Sequence, residues 1–276
     1  MRISQLFITS TIAAASLLVV SALVLLRIKS RLLWQRWFTW ALISVVFSGA
    51  YVFGQSTFNV LVCALAFIMM FELVTMLKLE IFSVTLVLLV TWIDFFQIVQ
   101  GRSAAEFYWI IPVMMFVLNL VEASKENKAK AAIGGMYGSL LITLSFIQLV
   151  QTPDKSLAIL LAVACFDVAS FIGGRSLGRF KGFSLHFSPK TSPNKTSGGV
   201  LVGALGLLLV LLTLGKLSLL GFAIILFGSV LGDYLESWMK RFAGVKDAAN
   251  WLPGFGGLLD RFDSLLLIAP LAVFIF

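Results

Sequence analysis

The stretch that decides the fold is LSLLGFAIILFGSVLGDYLE, residues Leu217 to Glu236. It is apolar for most of its length and carries two acids, Asp233 and Glu236, near its end. A helix needs about 20 mainly apolar residues to cross the hydrocarbon core of a bilayer. Because backbone polar groups must be satisfied internally there, this continuous run predicts a membrane-spanning helix.

The rest of the chain has a similar composition. Hydrophobic residues make up 60% of the 276 residues, charged residues only 12%, and the mean hydropathy is +1.02. An ordinary soluble domain is about half apolar, so this composition excludes that class. The apolar runs are continuous rather than alternating, which favours helices over strands. The sequence therefore predicts an all-α, polytopic integral membrane protein.

Apolar runs recur and predict nine or ten transmembrane helices. The predicted spans are residues 5–26, 38–55, 58–77, 80–98, 107–122, 131–150, 156–173, 198–214, 217–236 and 264–276. The last run is short for a membrane span, roughly 20 Å at 1.5 Å per residue. It either spans half the membrane or continues a helix that begins near Leu258.

The basic residues of the loops predict an orientation. The loops after predicted helices one, three, five, seven and nine hold 17 of the 21 Lys and Arg residues; the others are Arg2, Arg102, Lys155 and Lys216. Basic loops stay in the cytoplasm. We therefore predict an outward N-terminus in a multi-pass protein of the cytoplasmic (inner) membrane. The two longest polar loops, residues 173–197 and 237–265, are then cytoplasmic.

A polar interruption, EASKENKAK at residues 122–130, divides the chain. We predict N-terminal packing helices in residues 1–122 and the chemistry in residues 123–276, which hold both long polar loops. The net charge of +8 follows the loop bias and favours anionic lipids of the bilayer. No basic face with interleaved aromatic residues occurs, so nucleic acid is not an expected partner.

The loop after the ninth predicted helix is rich in charge and glycine. Lys240, Arg241 and Lys246 are cations, and LPGFGG at residues 252–257 breaks the helix and allows close backbone approach. Pairing between interfacial charges is the simpler explanation. The combination of acids, bases and glycines favours a functional site, because charge at membrane depth is costly.

Three acids in this region predict a metal site. If a helix begins near Leu258, Asp260 and Asp263 lie on one face of its first turns. Asp233 supplies a third carboxylate. Mg²⁺ prefers oxygen ligands and, when few carboxylates hold it, keeps positions for phosphate oxygens. The sequence therefore predicts a Mg²⁺ site at Asp233, Asp260 and Asp263.

The earlier polar loop contains SPNKT, residues 192–196, just before two glycines and a predicted helix. Ser192, Asn194, Lys195 and Thr196 together offer hydroxyls, an amide and a cation for phosphate, beside the N–H groups of a helix start. A turn with a topogenic lysine is the alternative. A partial copy, SPKT at residues 188–191, lies upstream, and the second copy is chosen because it directly precedes the helix.

Asp167 lies inside the seventh predicted span. An acid within a membrane helix usually has a functional polar role. It pairs either with Arg175, two turns further on, or with a cation of another helix.

These motifs resemble those of bacterial phosphatidate cytidylyltransferases, the CDP-diacylglycerol synthases. The family signature is Ser-x-x-Lys-Arg, four residues, Lys-Asp, then Pro-Gly-His-Gly-Gly-x-x-Asp-Arg-x-Asp. The chain has SWMKR (237–241), KD (246–247) and PGFGGLLDRFD (253–263), with Phe255 at the histidine position. SPNKT is similar to the family's Ser-Pro-x-Lys-Thr, and the segment from Asp167 to Gly178 to its Asp-x-x-Ala-Tyr-x-x-Gly-Arg. The resemblance covers roughly residues 160 to 270.

The resemblance implies the synthesis of CDP-diacylglycerol and pyrophosphate from CTP and phosphatidic acid, with Mg²⁺ as cofactor and one or two ions bound. It implies a catalytic set and a substrate-binding set. The catalytic set is Asp233, Lys240, Arg241, Lys246, Asp247, Asp260 and Asp263; the substrate-binding set is Ser192, Asn194, Lys195, Thr196, Asp167, Arg175 and Arg261. Residues 1–122 are candidates for a homodimer interface.

Two other classes stay open at this point. A CDP-alcohol phosphotransferase needs Asp-Gly-x-x-Ala-Arg and then Asp-x-x-x-Asp, whereas the spacing here is Asp-x-x-Asp. A transporter with a polar midplane site is expected to show inverted repeats and broken helices in both halves. The long polar loops of this chain lie in one half only.

Overall fold

A computed structural model of the chain describes residues 4–28, 31–100, 109–122, 128–177, 180, 185, 196–252 and 256–275. The regular structure of these residues is helical, and none of them forms a β-strand. The helices are α1 (Gln5–Ile28), α2 (Arg31–Phe53), α3 (Gln55–Met76), α4 (Ile81–Val99), α5 (Ile110–Glu122), α6 (Lys128–Gln151), α7 (Pro153–Leu177), α8 (Ser197–Thr213), α9 (Leu219–Ala243) and α10 (Leu259–Ile268), which is followed by a 3₁₀ helix (Ala269–Phe274).

The all-α prediction is confirmed, and each predicted span coincides with a helix. The last span continues a helix that begins at Leu259, next to the expected start. Six of the described helices (α1, α3, α4, α6, α7 and α9) contain a segment long and apolar enough to cross a membrane. The count of nine or ten spans, the outward N-terminus and the sides of the loops stay predictions.

Local sequence sets the helix ends that matter for the site. Gly244 has a φ of 75°, in the left-handed region that favours glycine, and it ends α9. The N–H of Val245 then donates to the carbonyl of Lys240 at 3.0 Å, which satisfies one of the last helical carbonyls. At the start of α8, the Thr196 hydroxyl accepts a hydrogen bond from the N–H of Gly199 at 3.2 Å, as an N-cap does.

The chain forms two compact units, and each draws on both sides of residue 123. The first unit comprises Ser30–Pro153 and Trp238–Phe262, and the second comprises Arg2–Lys29, Asp154–Ser237 and Asp263–Phe276. The functional division at residues 122 and 123 stays a prediction.

In the first unit, α3 packs against α2, α4 and α6, and α5 packs against α4 and α6. Small residues allow these close contacts, as is common between membrane helices. A Cβ on Gly138 of α6 would lie 3.1 Å from the Leu73 side chain of α3. A Cβ on Gly134 would lie 2.5 Å from the ring of Phe242, so α6 also contacts the end of α9.

In the second unit, two glycines bring α9 against the backbone of α10. Gly228 and Gly232 lie one turn apart on α9. A Cβ on Gly232 would lie 2.7 Å from the carbonyl oxygen of Asp263 and 2.9 Å from the Cα of Ser264. A Cβ on Gly228 would lie 2.5 Å from the Ile268 side chain. This contact places Gly232 and the acids that follow it on α9 beside Asp263, the first residue of α10 that belongs to the second unit.

Glycines also join α8 to α7 within the second unit. A Cβ on Gly199 would lie 2.9 Å from the carbonyl oxygen of Ser170, and one on Gly206 would lie 2.7 Å from the Cβ of Ala169. The first turn of α8 therefore packs against the C-terminal half of α7, the half that carries Asp167 and Arg175.

We predict that Gly232→Ala lowers the free energy of unfolding by about 1–3 kcal/mol, because the added methyl meets backbone atoms that cannot turn away. The control is Gly49→Ala in α2, where an added Cβ has nothing within 4 Å. That variant should be as stable as the wild type or slightly more so. Denaturant unfolding in detergent micelles measures both. Equal stability of Gly232→Ala and wild type would contradict the backbone contact between α9 and α10.

Candidate functional site

Three carboxylates converge in the second unit. Asp233, Glu236 and Asp263 each offer an oxygen, and the three oxygens lie within 4.8 Å of one another. Glu236 is only 3% exposed, and the two aspartates are half-buried. Asp233 and Asp263 were predicted from the sequence as metal ligands, and the structure adds Glu236 to them.

The backbone positions this carboxylate cluster. Asp233 follows Gly232 directly, and Gly232 is the residue at which α9 contacts the backbone of Asp263 and Ser264. Glu236 lies three residues further along α9, on the same face as Asp233. On α10, the N–H of Ser264 donates to Asp263 Oδ1 at 2.6 Å, and the Ser264 hydroxyl donates to the carbonyl of Ser229 on α9 at 3.2 Å.

The donor set of the carboxylate cluster suits a hard divalent cation. Like charges at this separation repel, and repulsion is stronger where the surroundings are apolar. A cation bound between the oxygens relieves that repulsion. Carboxylate oxygens without sulfur or imidazole are the ligands that Mg²⁺ prefers, so the residues present fit the predicted cofactor.

The first unit holds a separate ion pair. Lys240 Nζ lies 2.8 Å from Asp260 Oδ1, and the two side chains are only 12% and 5% exposed. The Asp260 carboxylate also accepts hydrogen bonds from the backbone N–H of Ala248, at 3.0 and 3.1 Å, and of Gly257, at 2.8 Å. Asp260, the third predicted metal ligand, is therefore held by a lysine and two loop amides.

The loop around Asp260 needs glycine where it folds back. Gly256 has a φ of 91° and exchanges two backbone hydrogen bonds with Leu252, at 2.9 and 3.3 Å. A Cβ on Gly256 would lie 2.6 Å from Asp260 Oδ2. Gly256 thus leaves room for the Asp260 carboxylate.

The remaining predicted residues of the C-terminal motif lie around this loop. Arg241 and Lys246 are exposed, as is Asp247. Arg241 donates to the carbonyl of Val245 at 3.5 Å. Arg261 lies on α10 with its guanidinium carbon 5.1 Å from the centre of the Trp40 ring, which is a cation–π contact.

The predicted phosphate-binding segment is described only at its end. Thr196 is buried and caps α8, while Ser192, Asn194 and Lys195 lie outside the described residues. Phe255, at the position of the family histidine, also lies outside them. On α7, Asp167 is half-buried and Arg175 is exposed near the end of the helix.

Sequence reasoning missed two acids. Glu236 lies in the same run as Asp233, but the spacing of acids within one helix does not show which of them faces a distant aspartate. Glu72 looks like an isolated acid near the end of an apolar helix, yet it is 2% exposed and accepts hydrogen bonds from the C-terminal motif. The available signal was its place inside a predicted membrane span, where an ionisable residue is usually functional.

Residues 34–276 match the cytidylyltransferase family, so most of the chain is covered by the match. The chain belongs to the cytidylyltransferase family. This assignment favours the first of the three classes considered from the sequence.

Relatives of the chain carry a more specific name. It is 29% identical over 269 residues to the phosphatidate cytidylyltransferase of Bacillus subtilis, an alignment that covers 87% of this chain and 96% of the relative. It is 44% identical over 117 residues to the phosphatidate cytidylyltransferase of Helicobacter pylori, covering 39% of this chain and 41% of the relative. The corresponding protein of Staphylococcus saprophyticus is 35% identical over 144 residues, covering 47% and 53%.

Proposed function

We propose that the protein transfers the cytidylyl group of CTP to phosphatidic acid, forming CDP-diacylglycerol and pyrophosphate at the cytoplasmic face of the membrane, in a metal-dependent reaction. The carboxylate cluster carries the proposal: Asp233 and Glu236 lie in the C-terminal half of the apolar helix α9, and Asp263 lies on α10. The family match and the relatives named phosphatidate cytidylyltransferase support the choice of substrates.

The reaction joins two polyanions. An oxygen of the phosphatidate phosphate attacks the α-phosphorus of CTP, and the bond from that phosphorus to the bridging oxygen breaks as pyrophosphate leaves. The attacking oxygen is already anionic, so little general-base chemistry is required. As in phosphoryl transfer generally, catalysis then depends mostly on positioning and on stabilising negative charge.

Asp233, Glu236 and Asp263 would hold the cation. A bound Mg²⁺ supplies neutralisation of the CTP phosphates and polarisation at phosphorus. Asp260 stays a predicted ligand whose carboxylate the structure pairs with Lys240. The site would hold one or two ions, and a titration of the transfer rate with Mg²⁺ distinguishes the two cases.

Cations would offset the charge that develops on the leaving group. Lys240 is held in place by its pair with Asp260, while Arg241 and Lys246 are exposed at the end of α9 and in the loop that follows. Fixed positive groups of this kind stabilise a transition state more than the ground state when they are aimed where charge develops. Asp247 belongs to the same motif and is kept in the proposed catalytic set.

The substrate-binding set is proposed around α7, α8 and α10. Ser192, Asn194, Lys195 and Thr196 would contact phosphate at the start of α8, where backbone N–H groups favour anions. Asp167 and Arg175 of α7, with Arg261 of α10, complete the set. Phosphatidate would keep its acyl chains in the bilayer of the inner membrane, and a homodimer would form through residues 1–122.

We predict that purified protein transfers label from α-labelled CTP to phosphatidic acid in mixed micelles, and that Asp233→Asn lowers this rate about a hundredfold or more, as loss of a key electrostatic group does. The matched control is Asp154→Asn in the first turn of α7, which should retain the wild-type rate. Label that enters lipid from γ-labelled CTP, or no labelled lipid at all from the wild type, would rule out cytidylyl transfer.

The cytoplasmic location has its own test. In a background with Cys63→Ala and Cys165→Ala, we expect a cysteine at Ser192 to react with a membrane-impermeant maleimide only from the cytoplasmic side. A cysteine at Lys216, in a loop predicted to lie outside, should react from the opposite side. The same accessibility at both positions would overturn the orientation.

A further inference from the structure

Glu72 lies near the end of α3 and binds a segment of the chain that is far away in sequence. Its Oε1 accepts hydrogen bonds from the Trp251 indole N–H at 2.6 Å and from the Leu258 N–H at 2.9 Å, and its Oε2 accepts one from the Leu259 N–H at 2.7 Å. The partners lie 179, 186 and 187 residues further along the chain. All of them belong to the first unit.

The bonded amides are those at the start of α10. The first N–H groups of a helix have no partner within the helix and carry partial positive charge, so a carboxylate there satisfies them and complements the helix dipole. Glu72 does so from another helix. Its fit also requires glycine at Gly257, because a Cβ there would lie 2.7 and 2.8 Å from the two carboxylate oxygens.

The backbone N–H just before these two amides binds a different carboxylate, that of Asp260. The Gly257 N–H donates to Asp260 Oδ2, and the next two N–H groups donate to Glu72. The two acids thus divide three consecutive amides between them. Asp260 follows Leu259 directly. A hydrogen bond that fixes the Leu259 N–H therefore also fixes the backbone of Asp260, whose carboxylate pairs with Lys240.

We propose that Glu72 is a positioning residue, which holds Trp251, Leu258 and Leu259 so that the Lys240–Asp260 pair has the geometry the reaction needs. All three of its hydrogen bonds are to this segment of the chain, so its proposed action is through the start of α10. The proposal rests on the cytidylyl transfer proposed above, in which Lys240 stabilises the charge that develops on the leaving group.

Glu122 offers a matched control in the same unit. It lies at the end of α5 and binds the start of another helix, α4, by accepting hydrogen bonds from the Glu80 N–H at 2.6 Å and from the Ser83 hydroxyl. Glu122→Gln therefore makes the same chemical change at the same kind of contact, away from the C-terminal motif. All three donors to Glu72 are N–H groups, which cannot accept from an amide nitrogen, so Glu72→Gln loses at least one bond. At Glu122 the Ser83 hydroxyl can turn and accept from the new amide, so the control makes the same chemical change without a forced loss.

Two readouts are needed, one of which does not require activity. Hydrogen exchange of the peptide covering residues 244–262 reports the order of the loop, and Glu72→Gln should speed exchange at Leu258 and Leu259 about tenfold, as expected for one lost hydrogen bond. Steady-state kinetics should show kcat falling about a hundredfold, as small misplacement of reacting groups produces, with KM for phosphatidic acid unchanged. Glu122→Gln should leave both quantities at their wild-type values.

A milder variant keeps the test valid if Glu72→Gln folds poorly. Trp251 is 52% exposed, so Trp251→Phe removes one donor to Glu72 at little cost in packing. It should change exchange and kcat in the same direction by a smaller factor.

Exchange or kcat that matches Glu122→Gln in an active protein would overturn the positioning role. A wild type without transfer activity would instead refute the proposed function, and exchange of the loop would then decide whether Glu72 orders it.

Discussion

An ionised carboxylate among apolar helices is costly unless N–H donors or a cation meet it, and the candidate functional region is organised around that constraint. In the first unit, Glu72 and Asp260 accept hydrogen bonds from backbone N–H groups at the start of α10, and Asp260 also pairs with Lys240. In the second unit, three carboxylate oxygens lie within 4.8 Å of one another, an arrangement whose repulsion a bound cation relieves. Glu72 and Asp260 are thus met by N–H groups and a lysine, and the carboxylate cluster is the site proposed for metal.

This arrangement connects helix packing to chemistry. Gly232 lets α9 contact the backbone of α10, which brings Asp233 and Glu236 to Asp263. Gly256 and Gly257 leave space for two carboxylates that bind the amides beside them. Close approach of a carboxylate therefore explains Gly256 and Gly257. The proposed reaction needs close packing and charged groups, because two polyanions must be held in contact with the groups that neutralise them.

The sequence predicted the helices well, because long apolar runs have few alternatives in a membrane. It also predicted Asp233 and Asp263 as metal ligands, because Asp233 follows a long apolar run and Asp263 lies three residues after Asp260 near an expected helix start. It did not reveal the role of Glu72, whose partners lie 179 or more residues away, so no local spacing records the contact. Nor could spacing show that Asp260 pairs with Lys240 while Glu236 joins the cluster, because both outcomes depend on how helices pack.

The central claim is that the carboxylate cluster holds the catalytic metal, and metal-specific rescue tests it most directly. In a background with Cys63→Ala and Cys165→Ala, Asp263→Cys replaces a hard oxygen ligand by sulfur, which favours softer ions. The account predicts that cytidylyl transfer by this variant is lost with Mg²⁺ and regained with Cd²⁺, while Asp154→Cys keeps its activity with Mg²⁺. Wild-type activity of Asp263→Cys with Mg²⁺ would contradict it.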